Sequence, residues 1–182
     1  MNKRSTTRAK ATRRPAVSAA DRKRFMQMAV DLAEQALDAG KGGPFGAIVV
    51  CGTRIAGSSG NCVFKHTDPT AHAEIMAIRD ACENLNKDDL TGCDIYSSGE
   101  PCPMCMAAIY WARIDSVYFC NTEQEALAFG FVDKLILEEL RKTPGDRKIK
   151  SRRIGNVGGL TVFRKAKAMG IGRTNSADPR IK

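Results

Sequence analysis

No run of apolar residues in this 182-residue chain approaches the 18 to 20 needed to cross a bilayer, and no signal-peptide apolar segment opens it. A membrane role and secretion are therefore not expected, and a cytoplasmic protein is. Histidine is scarce: only His66 and His72 are present, so any imidazole chemistry must use one of two positions. Aromatic residues make up 6% of the chain, with a single tryptophan, Trp111. Residues 1–20 contain no acidic side chain and almost no large apolar one, a composition that does not fold alone. This end has some features of an organellar transit peptide but lacks the apolar face of such a helix. The seven cysteines are odd in number and scattered, which argues against a disulfide framework. Cys51, Cys62, Cys82, Cys93 and Cys120 read as buried or idle thiols of a reducing compartment.

The net charge of +9 conceals a division. Residues 1–24 carry +8, residues 25–140 carry −10 and residues 141–182 carry +11. The acidic middle is the part rich in apolar periodicity, so a nucleic-acid partner is not expected there. The basic ends serve solubility or an anionic partner. The length suits one domain: a basic tail over 1–20, a folded domain over 21–165 and a second basic tail over 166–182.

Helical periodicity places Phe25, Met28, Ala29, Leu32, Ala36 and Leu37 on one face of a first helix capped by Asp21 and ended by Gly40. Phe45 to Cys51 reads as a buried strand and a hairpin returns through Arg54 to Ser58. A polar loop, Gly60 to Pro69, precedes a helix from about Thr70 to Leu85. A strand over Cys93 to Ser98, a helix over Cys102 to Trp111 and a strand over Ser116 to Cys120 follow. Helices over about Glu123–Phe129 and Asp133–Arg141 come next. Strands alternating with helices predict an α/β layered domain. The stretch Lys142 to Lys182 has no secure assignment.

Two stretches carry chemistry, Thr70-Ala71-His72-Ala73-Glu74 and Glu100-Pro101-Cys102-Pro103-Met104-Cys105. His72, Cys102 and Cys105 supply one imidazole and two thiolates, a donor set that suits tetrahedral zinc with its fourth position open. Each stretch precedes an apolar-periodic run, so both are expected to open helices, where peptide dipoles lower thiol pKa values. Zinc draws the pKa of water from about 15.7 towards about 7. Glu74, two residues from His72 and not a ligand, is the expected proton carrier. The plainer alternative, a structural zinc module, needs a fourth protein ligand.

The order H-x-E then P-C-x-x-C matches the known signature of zinc deaminases acting on bases. From Gly42 to about Arg147 the chain resembles the cytidine-deaminase-like superfamily, and most its guanine and guanosine deaminase branch. The likeness rests on those two stretches together with Gly43-Pro44-Phe45-Gly46-Ala47, Ala108-Ile109-Tyr110-Trp111-Ala112-Arg113 and Gly130-Phe131-Val132-Asp133. It implies a three-layer α/β/α fold with a five-stranded mixed sheet, a zinc ion, a small purine substrate and a homodimer that exchanges C-terminal segments.

The resemblance also assigns roles. Asn61 hydrogen-bonds the base, Phe45 stacks on it, the backbone near Ala73 orients it, Trp111 walls the cavity and Asp133 handles the guanine amino group. Taken without the resemblance, Asn61 is a turn residue, Phe45 and Trp111 are core, and Asp133 is a helix N-cap. Two departures from the family stand out: Val132 replaces an aspartate, and no C-terminal tyrosine closes the site. The function implied is hydrolytic deamination of guanine. A tRNA adenosine deaminase on the same fold, or a deaminase of guanosine, cytosine or an aminotriazine, is the alternative.

Overall fold

The computed structural model describes residues 16–131, 134–155 and 157–171. It divides into two compact units, Met1–Glu138 and Glu139–Lys182. The first unit begins with α1, Ala19–Asp38. Its N-cap is Ser18 rather than the expected Asp21: the Ser18 hydroxyl accepts the Asp21 N–H at 3.0 Å, and Asp21 sits in the first turn, where a carboxylate favours the helix dipole.

Strands β1 (Gly46–Cys51), β2 (Arg54–Gly60), β3 (Cys93–Gly99) and β4 (Ser116–Asn121) form one sheet in the order β2-β1-β3-β4. β1 pairs antiparallel with β2 and with β3, while β3 and β4 are parallel. That parallel pair is joined by helix α4, Pro103–Trp111, as a parallel connection requires. Helices α2 (Val63–His66) and α3 (Ala73–Leu85) lie between β2 and β3 in the chain. The sheet is mixed, as the resemblance implied, but it has four strands among the described residues rather than five. After β4 the chain becomes α5 (Glu123–Ala128) and α6 (Lys134–Arg141). The following residues, 142–155, are rich in Lys and Arg, with Pro144 and Gly145, and have too little β-branched or aromatic content for another strand.

β1 explains the layering. Its Ala47 and Val49 join Ile95, Ala73, Ala77, Ala81 and Ile109 in one apolar cluster, while Ile48 and Val50 join Phe25 and Tyr96 in another. Alternate side chains thus pack under α3 and α4 on one face and under α1 on the other, which is why Gly46–Cys51 is a continuous apolar run. Phe25 meets Tyr96 with ring centroids 5.4 Å apart, and Tyr96 stacks on Tyr118 at 4.8 Å.

α3 lies directly on β2. A Cβ at Gly57 would run into the Ala77 carbonyl oxygen and the Ala81 backbone, so only glycine permits this approach. Cys51 and Cys93, expected to be separate thiols, are joined by a disulfide. They face each other across the antiparallel β1–β3 pair, a proximity that depends on strand register and not on sequence spacing.

In the second unit, α7 spans Gly159–Ala168 and begins at Gly158, which has φ of 77°. None of the helices among the described residues is long and apolar enough to cross a membrane.

Candidate metal centre and substrate cavity

Both motif stretches open helices. His72 is the N-cap of α3, with φ −65° and ψ 155°, and Cys102 is the N-cap of α4, with φ −62° and ψ 167°. Pro103 takes the first helical position, where its missing N–H costs nothing. One turn in, Cys105 is fully buried. The His72 Nδ1 lies 3.7 Å from Cys102 Sγ and 3.6 Å from Cys105 Sγ.

These spacings test the fit of zinc directly. With bonds of about 2.0–2.1 Å to nitrogen and 2.3 Å to sulfur, two such ligands on one tetrahedral ion lie roughly 3.5 Å apart. The three donor atoms therefore need almost no movement to share an ion. No other group of three or more metal-binding side chains is found among the described residues, and none supplies a fourth ligand here. His72, Cys102 and Cys105 are positioned together to hold a metal ion.

Electrostatics agree with that role. A hydrogen bond from Cys105, with the His72 ring alongside, holds the Cys102 thiol far below its ordinary range, at about 4. Cys105, which keeps the shared proton and is buried beside Glu74, is pushed up. A zinc ion held here would take both sulfurs as thiolates.

Glu74 occupies the second position of α3 and is buried. Burial pushes its carboxyl above the usual range. The Ser97 hydroxyl of β3 donates to Glu74 Oε1 at 3.3 Å.

A cavity of about 320 Å³ opens beside this group, lined by His72, Glu74, Cys102, Asn61, Phe45, Glu100 and Phe131 among others. Asn61 is only 5% exposed. Its N–H donates to the Phe45 carbonyl at 2.8 Å and its Oδ1 accepts the Val63 N–H at 3.1 Å. Gly42 leaves room for this amide, since a Cβ there would overlap Asn61 Oδ1. The Phe45 ring meets the Phe131 ring edge to face, with centroids 5.1 Å apart and planes at 86°. That geometry builds an apolar wall for a flat ring.

The structure therefore brings together His72, Cys102, Cys105, Glu74, Asn61 and Phe45. Ala73 is fully buried as the first residue of α3, and its methyl group faces the apolar cluster. Trp111 ends α4 with 62% of its surface exposed and lines none of the three cavities near the metal centre. Asp133 and Val132 lie outside the described residues.

Two residues of this cavity, Phe131 and Glu100, and Ser97 behind Glu74 are not singled out by sequence reasoning. Ser97 shares a strand face with Cys93 and Ile95, both packed towards α3, so alternation along β3 is a signal that finds it. Phe131 and Glu100 fall inside the motif stretches but carry no individual signal there.

Residues 19–121 match the family model described as the cytidine and deoxycytidylate deaminase zinc-binding region. The chain is 45% identical over 125 residues to the guanine deaminase of Bacillus subtilis, covering 69% of this chain and 80% of that protein. It is 44% identical over 100 residues to a tRNA-specific adenosine deaminase of Agrobacterium fabrum, covering 55% and 65% respectively. The X-ray structure of Bacillus subtilis guanine deaminase superposes with a TM-score of 0.79 at 38% identity, over 84% of this chain and 97% of the other. With its zinc ligands at the starts of α3 and α4 and a buried glutamate beside them, the chain belongs to the cytidine and deoxycytidylate deaminase family.

Proposed function

We propose that the protein hydrolyses guanine to xanthine and ammonia. The observation that carries this reading is the likeness to guanine deaminase, which extends further along the chain than the likeness to tRNA-specific adenosine deaminases.

A zinc ion held by His72, Cys102 and Cys105 supplies a Lewis acid that makes water a nucleophile near neutral pH. Glu74 takes the proton from the attacking water and passes it to the ring nitrogen beside the reacting carbon. It then carries the second proton to the departing amino group. The carbon–nitrogen bond breaks, ammonia leaves and the oxygen remains as the ring carbonyl. Asn61 keeps its Nδ2 hydrogens without a partner among the described residues, so they are available to an acceptor on the base. Phe45 stacks on the ring, the backbone at Ala73 orients it and Asp133 helps handle the amino group.

The working form is a homodimer with exchanged C-terminal segments. In support, Leu160, Val162 and Phe163 of α7 are each at least 66% exposed within this single chain, an apolar surface that a second copy would cover.

The test is an ammonia-release screen of zinc-loaded protein against guanine, guanosine, adenine, cytosine, their nucleosides and aminotriazines. Guanine turnover is expected. The Glu74→Gln variant should keep its zinc and lose turnover, and near-wild-type activity in it removes Glu74 from the proton path. A second reading, a tRNA adenosine deaminase, is favoured by the basic ends of the chain. Inactivity on every small ring, with tRNA binding that weakens steeply as salt rises, would establish it instead.

A further inference from the structure

Glu100 is held at two points. Its N–H donates to the Asn121 carbonyl at 2.7 Å, and its Oε2 accepts the N–H of Glu123, the first residue of α5, at 3.0 Å. The backbone is therefore tied to the end of β4 and the side chain to the start of α5, two residues before Cys102. Its other oxygen, Oε1, has no partner among the described residues. Glu100 also lines the cavity that contains His72, Glu74, Asn61 and Phe45, and it lines an adjoining one of about 250 Å³ with Met106, Ala126 and Phe131. No Lys or Arg side chain lines either cavity. Glu100 is exposed and borders the space beside the metal centre, with one carboxylate oxygen left to accept a donor from solvent or from whatever occupies that space.

Purines differ in what they place next to the reacting carbon. In guanine the carbon bearing the amino group adjoins a ring N–H. In 2-aminopurine, with the same amino group on the same carbon, the corresponding ring nitrogen is an acceptor and repels a carboxylate. Resting on the guanine reading above, we propose that Glu100 is a specificity-determining residue whose carboxylate accepts this ring N–H and so selects guanine-type rings.

The test compares kcat/KM for guanine and for 2-aminopurine in zinc-loaded wild-type protein, Glu100→Gln and Glu100→Asp, with zinc content measured in each. A hydrogen bond to a charged group is worth about 1.5–3 kcal/mol, or roughly 10- to 150-fold. Glu100→Gln should lower kcat/KM for guanine by that factor, chiefly through KM. It should leave 2-aminopurine unchanged or improved, because the amide can donate where the carboxylate cannot. Glu100→Asp keeps the charge with a shorter reach, and should retain most of the preference for guanine. If Glu100→Gln does not fold, Glu100→Asp must still lose more on guanine than on 2-aminopurine. Equal losses on both substrates, or a loss of zinc, overturn the proposal and leave Glu100 a latch between β4 and α5. Wild-type protein inactive on guanine is a separate failure, that of the guanine reading itself.

Discussion

The Ser97 hydroxyl reaches from the centre of β3 to Oε1 of Glu74, 3.3 Å away, tying the buried carboxylate to the sheet rather than leaving it to its own helix. Both residues are buried, so water does not readily replace this bond. Ser97→Ala should lower kcat by about tenfold, as expected for losing one long hydrogen bond to a charged group. Zinc content and KM should stay near wild type. Steady-state kinetics with metal analysis checks this, and an unchanged kcat shows that Glu74 is positioned by its helix alone.

Gly57 tests the contact between α3 and the sheet. A methyl group there meets the Ala77 carbonyl and the Ala81 backbone, neither of which can rotate away. Gly57→Ala should destabilise the fold by about 1–3 kcal/mol, the range for overpacking a core. Because α3 also carries His72 and Glu74, activity should fall with stability. Urea denaturation and turnover measured on the same samples read both effects.

The first turn of α5 gives a pH-dependent prediction. The Thr122 N–H and hydroxyl both donate to Glu125, closing a capping box, and they hold its carboxyl below the ordinary value of 4.5. A carboxyl with a depressed folded-state pKa contributes stability that is fully present above the unfolded value and fades as pH falls through the folded one. The stability difference between wild type and Glu125→Ala should therefore be constant at neutral pH and shrink below about pH 4.5. Denaturant midpoints across that range measure it, and a difference that grows on acidification contradicts the cap.

Cys51 and Cys93 are 42 residues apart in sequence and bonded in the structure. Chain entropy alone assigns a loop of that size about 4 kcal/mol. Oxidised protein should melt higher than the same protein in reductant, and Cys51→Ser with Cys93→Ser should melt at one temperature in both conditions. Peptide mapping without reductant identifies the linked fragments directly.

How much of the molecule is legible in its sequence depends on the range of each signal. Helix and strand positions follow from local periodicity, and the zinc ligands from spacing within two short stretches, so residue type and order alone pick out His72, Cys102, Cys105 and Glu74. Contacts set by strand register are not legible in the same way. The Cys51–Cys93 bond and the reach of Ser97 to Glu74 exist only because β1, β3 and α3 are aligned as they are. Trp111 shows the opposite difficulty. In an apolar run it reads as core or cavity wall, yet the turn of α4 carries it outward at the helix end. Asp21, too, looks like a cap by residue type, but three residues earlier Ser18 has the extended backbone that a cap requires.

The grip on the metal and the shape of the cavity are supplied by different parts of the chain. His72, Cys102 and Cys105 sit on helix starts braced against the sheet, while Phe45 and Phe131 stand on connections after α1 and α5. A mutation at either ring can remodel the chamber without loosening the ion. The shape of the chamber and the hold on the ion can therefore be altered separately.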